Sequence, residues 1–267
     1  MENLYPLFER NRVLKKELLW SLRDYTFVHV QAEYSSYGQG FLKGWDIKVQ
    51  GGEVAVGPGL LKAGRFICLL TEETQIPFEA SDCLQILKIR VRIDRRSPDY
   101  IAYQMEFYLD KPDKEMGMEV GGRKEEFEFE LCRFHLRRGA KLRDTYTCFQ
   151  DMITEYDTVN LIHGDWGGPE GKGVPPVLAM GFARAVLGQR HVSAEDQGLA
   201  YLCLAREGII AREVLADYLE RKVGTELGAA KGNEEYFDAM CQALDAIGRG
   251  EDGKEKGGGR RRRILIE

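Results

Sequence analysis

The chain has 267 residues, of which 43% are hydrophobic and 30% charged, so it can form a buried core and is not a disordered polymer. Its net charge of −5 argues against a general nucleic-acid coat, which needs a basic excess, but allows a local basic patch. The longest apolar run is about seven residues, against roughly 20 for a bilayer-spanning helix, so we predict no membrane span.

The first predicted element is an amphipathic helix within residues 1–30. Apolar side chains recur there at spacings of three and four, with basic side chains over much of the remaining surface. We predict that the apolar stripe is an assembly interface formed by Leu7, Leu14, Leu18 and Leu22. Two alternatives stay open: the helix packs on its own domain, or it bundles with copies of itself.

Residues 31–163 are predicted to form a β-rich domain with glycine at its corners. From Trp45 onward apolar and polar residues alternate, and Gly51-Gly52 marks a turn within a small antiparallel meander. The alternation returns at 87–93, 101–109 and 127–131, which indicates antiparallel strands with one buried face. Basic residues of the first of these strands are expected to lie across from the glutamates of the last.

The second half of the chain is predicted to be helical. Spacings of three and four return from Leu142 to Asn160, so we expect the β-rich domain to end in a helix. The glycine-rich stretch 164–174 is predicted to be a linker without regular structure. Short helices at about 175–189, 193–206, 210–223 and 233–248 then form a helical domain over 175–249. The fold class that follows is α+β.

Residues 250–267 are predicted to be a flexible basic tail. The glycines give reach, four consecutive arginines give charge, and a short apolar end has high β-propensity. We therefore add to the predicted assembly interface the residues Arg260, Arg261, Arg262, Arg263, Ile264, Leu265 and Ile266. The alternatives are a solvated spacer and a site for nucleic acid.

No set of residues predicts a catalytic site. Gly38-Gln39-Gly40 lacks the third glycine of a dinucleotide fingerprint, because position 43 is Lys43, and Gly171-Lys172-Gly173 lacks the rest of a phosphate-binding loop. Asp151, Glu155 and Asp157 could take a metal or a proton from one predicted helix face, but acidic residues on a helix surface are usually solvated. His163 and Asp165 flank the glycine-rich stretch and have no third partner. We predict no catalytic, cofactor-binding or metal-binding residue, no cofactor and no enzymatic activity.

One segment resembles a known class of protein. The runs YGQGFLKGWDI at 37–47 and VAVGPGLLKAGR at 54–65 are similar to the glycine-cornered segment of phage tail and baseplate proteins, tail-fibre attachment proteins and contractile injection systems. The runs at 129–143 and 154–160 resemble related prophage tail proteins of Gram-positive anaerobes. The resemblance covers about residues 7–162 and does not extend to the helices after 174 or to the arginine tail.

The resemblance implies a structural or adaptor role at the baseplate or at the fibre attachment. Such a protein acts by assembling with other tail, baseplate or fibre subunits, and symmetry makes a homo-oligomer the expected state. It implies synthesis in the bacterial cytoplasm and a final place in a virion or phage-tail-like particle. The competing hypothesis is a nucleic-acid-associated protein that uses the arginine tail, although the net charge makes nucleic acid an unlikely partner.

Overall fold

The computed structural model of the chain describes residues 13, 15–95, 97, 99–111, 125–228 and 231–250. The fold is α+β, with antiparallel sheets between an N-terminal helix and a group of C-terminal helices. The described helices are α1 (Lys16–Arg23), α2 (His29–Glu33), α3 (Pro176–Leu187), α4 (Ala194–Ala205), α5 (Arg212–Val223) and α6 (Asn233–Gly248). The described strands are β1 (Gly40–Gly44), β2 (Ile47–Gln50), β3 (Glu53–Val56), β4 (Gly59–Ala63), β5 (Phe66–Leu70), β6 (Thr74–Pro77), β7 (Leu84–Asp94), β8 (Ala102–Asp110), β9 (Glu125–His135), β10 (Gly167–Gly168) and β11 (Gly171–Lys172).

The region from β1 to β6 forms two three-stranded sheets, with orders β1-β4-β5 and β2-β3-β6. The predicted turn at Gly51-Gly52 is confirmed, and both glycines have positive φ, 58° and 95°, as a tight turn between twisted strands requires. The predicted single meander is wrong. The chain changes sheet between β1 and β2, where Trp45 has a φ of 66° and its backbone N–H donates to the carbonyl of Pro58 over 3.1 Å.

The third sheet has the order β8-β7-β9 and follows the predicted alternation. Leu87, Ile89 and Val91 of β7 are buried, because every second side chain points into the core. The expected charge pairing across the strands is also confirmed. Arg90 binds Glu126 and Glu128 of β9 at 2.9 and 2.5 Å, so the basic face of β7 is largely neutralised by its neighbours.

The C-terminal helices lie where the sequence predicts them. Ser193 caps α4 through a capping box with Asp196, and Gly224 ends α5 in the left-handed conformation with a φ of 76°. These helices share a hydrophobic cluster around Leu178, Phe182 and Tyr236, whereas the sheets share a second cluster. The predicted division of the chain at 1–30, 31–163, 164–174, 175–249 and 250–267, with two folded units joined near 164–174, stays a prediction.

The predicted helix at the end of the β-rich region, from Leu142 to Asn160, is wrong. The only helical turn in this described segment is a 3-10 turn at Gln150–Ile153. Asp151 accepts hydrogen bonds from the guanidinium of Arg143 at 2.5 and 2.6 Å and from the backbone N–H of Thr147 at 2.8 Å. Such side-chain bonds compete with helical backbone bonds, and they hold the segment in an irregular path.

Replacing Asp151 by asparagine should lower the melting temperature at pH 7, because the hydrogen bonds from Arg143, Thr147 and Thr154 favour the carboxylate and hold the pKa of Asp151 well below its usual range. A carboxylate whose pKa is lower in the folded than in the unfolded state stabilises the fold above the unfolded-state pKa of about 4. This stabilisation is lost as the pH falls through the folded-state pKa. Thermal melts of both proteins between pH 7 and pH 3 should therefore show a difference in melting temperature that begins to narrow below about pH 4 without closing, because the carboxylate of the folded protein is protonated only at a lower pH. Glu155→Gln is the exposed control, and equal melting temperatures at pH 7 would contradict the assignment.

The stretch 164–174, predicted to lack regular structure, contains two short paired strands. Gly167-Gly168 and Gly171-Lys172 pair as the short strands β10 and β11, and the glycines at 167, 168 and 173 are buried. The backbone N–H of Gly38 donates to the carbonyls of Gly168 and Gly171 over 3.1 and 3.0 Å. The glycines thus allow the backbone of the hairpin to lie close to the backbone of the β-region. Glycine content alone does not distinguish this role from that of a flexible linker.

Candidate assembly surface

The N-terminal helical segment is continuous from Lys16 to Glu33. Between α1 and α2 the residues Asp24–Val28 form a wider π-helical turn, in which the hydroxyl of Thr26 donates to the carbonyls of Leu22 and Arg23. A π-helical turn rotates the side chains that follow it relative to those before it. Apolar residues on both sides of the turn therefore do not form a single narrow stripe.

Large apolar side chains on this segment are exposed. We call Leu19, Trp20, Tyr25, Phe27 and Val28 the apolar helix surface; their exposed fractions are 49%, 46%, 74%, 59% and 56%. None of the residues of α1, the π-helical turn or α2 is buried. A cluster of exposed apolar side chains marks an interaction site more often than a chance feature of a monomer surface.

Of the predicted interface residues, only Leu18 and Leu22 lie within the part of the chain that the structure describes. Leu18 and Leu22 lie one turn apart on α1 and are both half-buried. Leu7, Leu14 and the tail residues 260–266 lie outside the described residues. Their role in assembly stays a prediction.

The apolar stripe at spacings of three and four does not include the residues of the apolar helix surface, so that pattern alone did not predict it. The signal that was available is the apolar pair Leu19-Trp20 directly after Leu18, and the pair Phe27-Val28 further on. Adjacent apolar residues widen the apolar side of a helix beyond a single row at spacings of three and four.

The end of this helical segment is fixed to the β-region by one lysine. The ammonium of Lys62 on β4 donates to the carbonyls of Tyr34, Ser35 and Tyr37 at 2.8, 3.0 and 2.6 Å. These carbonyls directly follow α2, where the helix leaves acceptors without helical partners. Partial burial lowers the pKa of Lys62, and its three bonds orient the helix relative to the sheet.

The carboxylates that the sequence singled out are engaged in structural contacts. Asp157 is bound by the guanidinium and the backbone N–H of Arg137, just as Asp151 is bound by Arg143. Asp165 accepts the backbone N–H of Glu130 at 2.7 Å. Within the described ranges no three His, Cys, Asp or Glu side chains come together to hold a metal ion. The expected lack of a metal, a cofactor and a catalytic site stays a prediction.

Comparisons with known proteins give a distant structural similarity. No protein-family model matches the chain, and the search of curated proteins gives no match. A solved structure titled "Crystal structure of TssK" aligns with 94% of this chain and 70% of that chain, at a TM-score of 0.36 and 9% identity. Among the described helices, none has the length and apolar character needed to cross a membrane.

Proposed function

We propose that the protein is a structural subunit of a phage tail or phage-tail-like contractile particle, and not an enzyme. The observation that carries the assembly role is the apolar helix surface, which is exposed on a segment oriented by Lys62. The kind of particle is supported by the resemblance of the runs at 37–47 and 54–65, which include β1, most of β3 and β4.

The proposed occupant of the apolar helix surface is a second copy of this chain. The five side chains expose on the order of 500 Å² of apolar area, a large part of the roughly 800 Å² that each partner contributes to a stable interface. Charges of both signs flank them, from Lys15, Lys16 and Arg23 to Glu17 and Asp24, so a copy of the same helix is not repelled. An isologous contact of this kind is the commonest route to a closed oligomer.

The test is the oligomeric state of the full chain, measured by light scattering after gel filtration and by analytical ultracentrifugation. We expect an oligomer, and we expect the double variant Leu19→Gln/Trp20→Gln to weaken association at least about 30-fold, because losing about 2 kcal/mol of apolar burial has that effect. Glu17→Gln, an exposed change on the same helix, is the matched control. A monomer at every concentration, or equal association by both variants, would contradict the proposal.

A further inference from the structure

A cleft of about 630 Å³ lies between β2 and the start of α3, and we call it the β2 cleft. Much of its wall is apolar and only half-buried. The side chains that form this part of the wall include Ile47, Tyr146, Trp166, Val177, Met180 and Ile209. A concave site with partly exposed apolar walls is suited to an apolar ligand.

One side of the β2 cleft is the outer edge of a strand. Among the described strands, β2 pairs with β3 alone. The backbone N–H of Val49 donates to the carboxylate of Asp144 at 2.8 Å, away from β3. On the inner edge, the N–H of Gly57 donates to the carbonyl of Asp46 at 2.8 Å. Because inward and outward positions alternate in an antiparallel pair, the backbone N–H and C=O of Ile47 point outward, as those of Val49 do.

Asp144 occupies one end of this edge and leaves the other end open. The outward N–H of Val49 is used by Asp144, whereas the outward N–H and C=O of Ile47 have no partner among the described residues. Ile47 also lines the β2 cleft, so a segment bound there can reach both groups. An open strand edge binds an extended segment through main-chain hydrogen bonds, and apolar walls beside it select the side chains.

The run Ile264-Leu265-Ile266 of this chain has the chemistry that the β2 cleft requires. It is apolar, its two isoleucines are β-branched and favour an extended strand, and it lies outside the described residues. Four arginines, at 260–263, precede it directly. In water the run gains nothing, whereas a cleft with an open strand edge removes its side chains from water and pairs its backbone.

The charges around the β2 cleft suit these arginines. The charged residues that line it are Lys43, Asp46, Lys48, Asp144 and Glu207. Lys43 and Glu207 pair with each other at 3.3 Å, which leaves two carboxylates and one lysine. The side chain of Asp46 is exposed beside the open end of β2, where a guanidinium can bind it with two hydrogen bonds.

The length of the chain also fits. A Cβ built on Gly248, at the end of α6, would lie 3.6 Å from the side-chain oxygen of Gln189, so α6 and α3 end side by side. The 12 residues of α3 span about 18 Å from there back to Pro176, which lines the β2 cleft. Residues 251–263 can span up to about 45 Å when extended, so the run can reach the cleft of its own chain.

From these observations we propose that residues 264–266 bind in the β2 cleft of their own chain, as a short strand added to the outer edge of β2. The main chain of the run supplies the partners for the N–H and C=O of Ile47, its side chains cover the apolar walls, and the arginines before it meet Asp46. None of these residues belongs to the apolar helix surface, so this proposal and the proposed oligomer can fail separately.

The experiment is hydrogen exchange of the full chain, measured by NMR at the backbone amide of Ile47. We expect this amide to exchange at least about tenfold more slowly in the wild type than in the double variant Ile264→Asp/Ile266→Asp, because a flexible linker gives the run a millimolar effective concentration at the cleft. Lys254→Gln/Lys256→Gln is the matched control. It changes the net charge by the same amount, keeps the apolar run, and should exchange as the wild type does.

A mixing experiment separates binding within one chain from binding between copies. The ¹⁵N-labelled double variant is mixed with an excess of unlabelled wild type, and the exchange of Ile47 is measured in the labelled chains. Fast exchange there supports binding within one chain, whereas slow exchange assigns the run to the cleft of a neighbouring copy and overturns the proposal. Equal exchange of Ile47 in the wild type and the double variant would overturn it as well.

Discussion

Replacing Asp196 by alanine should lower the free energy of unfolding by about 3 kcal/mol, because a buried carboxylate is removed and the buried hydroxyl of Tyr218 loses its acceptor. Asp196 is 2% exposed, and it accepts hydrogen bonds from the hydroxyl of Tyr218 at 2.7 Å and the ammonium of Lys222 at 3.0 Å. It also accepts the backbone N–H of Ser193, so its loss removes the reciprocal half of the capping box of α4, while the Ser193 hydroxyl can still cap the backbone N–H of residue 196. One carboxylate therefore joins α4 to α5.

The pH dependence of this effect follows from the same contacts. Burial by itself raises the pKa of Asp196, but hydrogen bonds from Tyr218, Lys222 and Ser193 outweigh it, and the pKa is lowered overall. A depressed folded-state pKa gives stability above about pH 4 that is lost as the pH falls further. The difference between wild type and Asp196→Ala should therefore be largest near pH 7 and shrink in acid.

Urea unfolding at pH 7 and at pH 3 measures both effects. The matched control is Asp217→Ala on α5, because Asp217 pairs with Arg221 at the surface, where both side chains are more than 60% exposed. An exposed pair of this kind contributes at most about 1 kcal/mol. If the two alanine variants lost the same stability, the carboxylate of Asp196 would not join the two helices.

Replacing Gly38 by alanine should cost about 3 kcal/mol, at the upper end of the penalty for overpacking. A Cβ at position 38 would lie 2.1 Å from the carbonyl oxygen of Gly171, which is backbone and cannot rotate away. The two hydrogen bonds from the Gly38 N–H to the hairpin would be lost with the contact. The hairpin β10–β11 would then separate from the β-region.

The same substitution at Gly198 is the matched control for this prediction. Gly198 lies within α4, and a Cβ there meets no atom within 4 Å. Because glycine is a poor helix former, Gly198→Ala should stabilise the protein by up to about 1 kcal/mol. Urea unfolding measures the change in the free energy of unfolding for both variants. In limited proteolysis, the hairpin of Gly38→Ala should be cut earlier than that of the wild type. Unchanged stability in Gly38→Ala would show that the hairpin is not held against position 38.

Elements with a local hydrophobic period are predictable from the amino-acid sequence alone. The alternation in β7 and β9 and the spacings in α3 to α6 can be recognised without a distant partner. The apolar face of each element repeats within a few residues of sequence. The capping box that starts at Ser193 could likewise be recognised from four neighbouring positions. These features establish the α+β class before any contact is known.

The conformation of a segment whose partners are far away in the chain depends on the tertiary fold. The segment 142–160 has helical spacing, yet the backbone N–H of Val49 donates to Asp144 at 2.8 Å, across 95 positions of sequence, and the Arg143–Asp151 pair holds the rest in an irregular path. The hairpin at 167–172 exists because Gly38 lies against it. Close contacts between backbone segments and the burial of charged groups depend on neighbours that are distant in sequence. A local hydrophobic period contains no information about these neighbours.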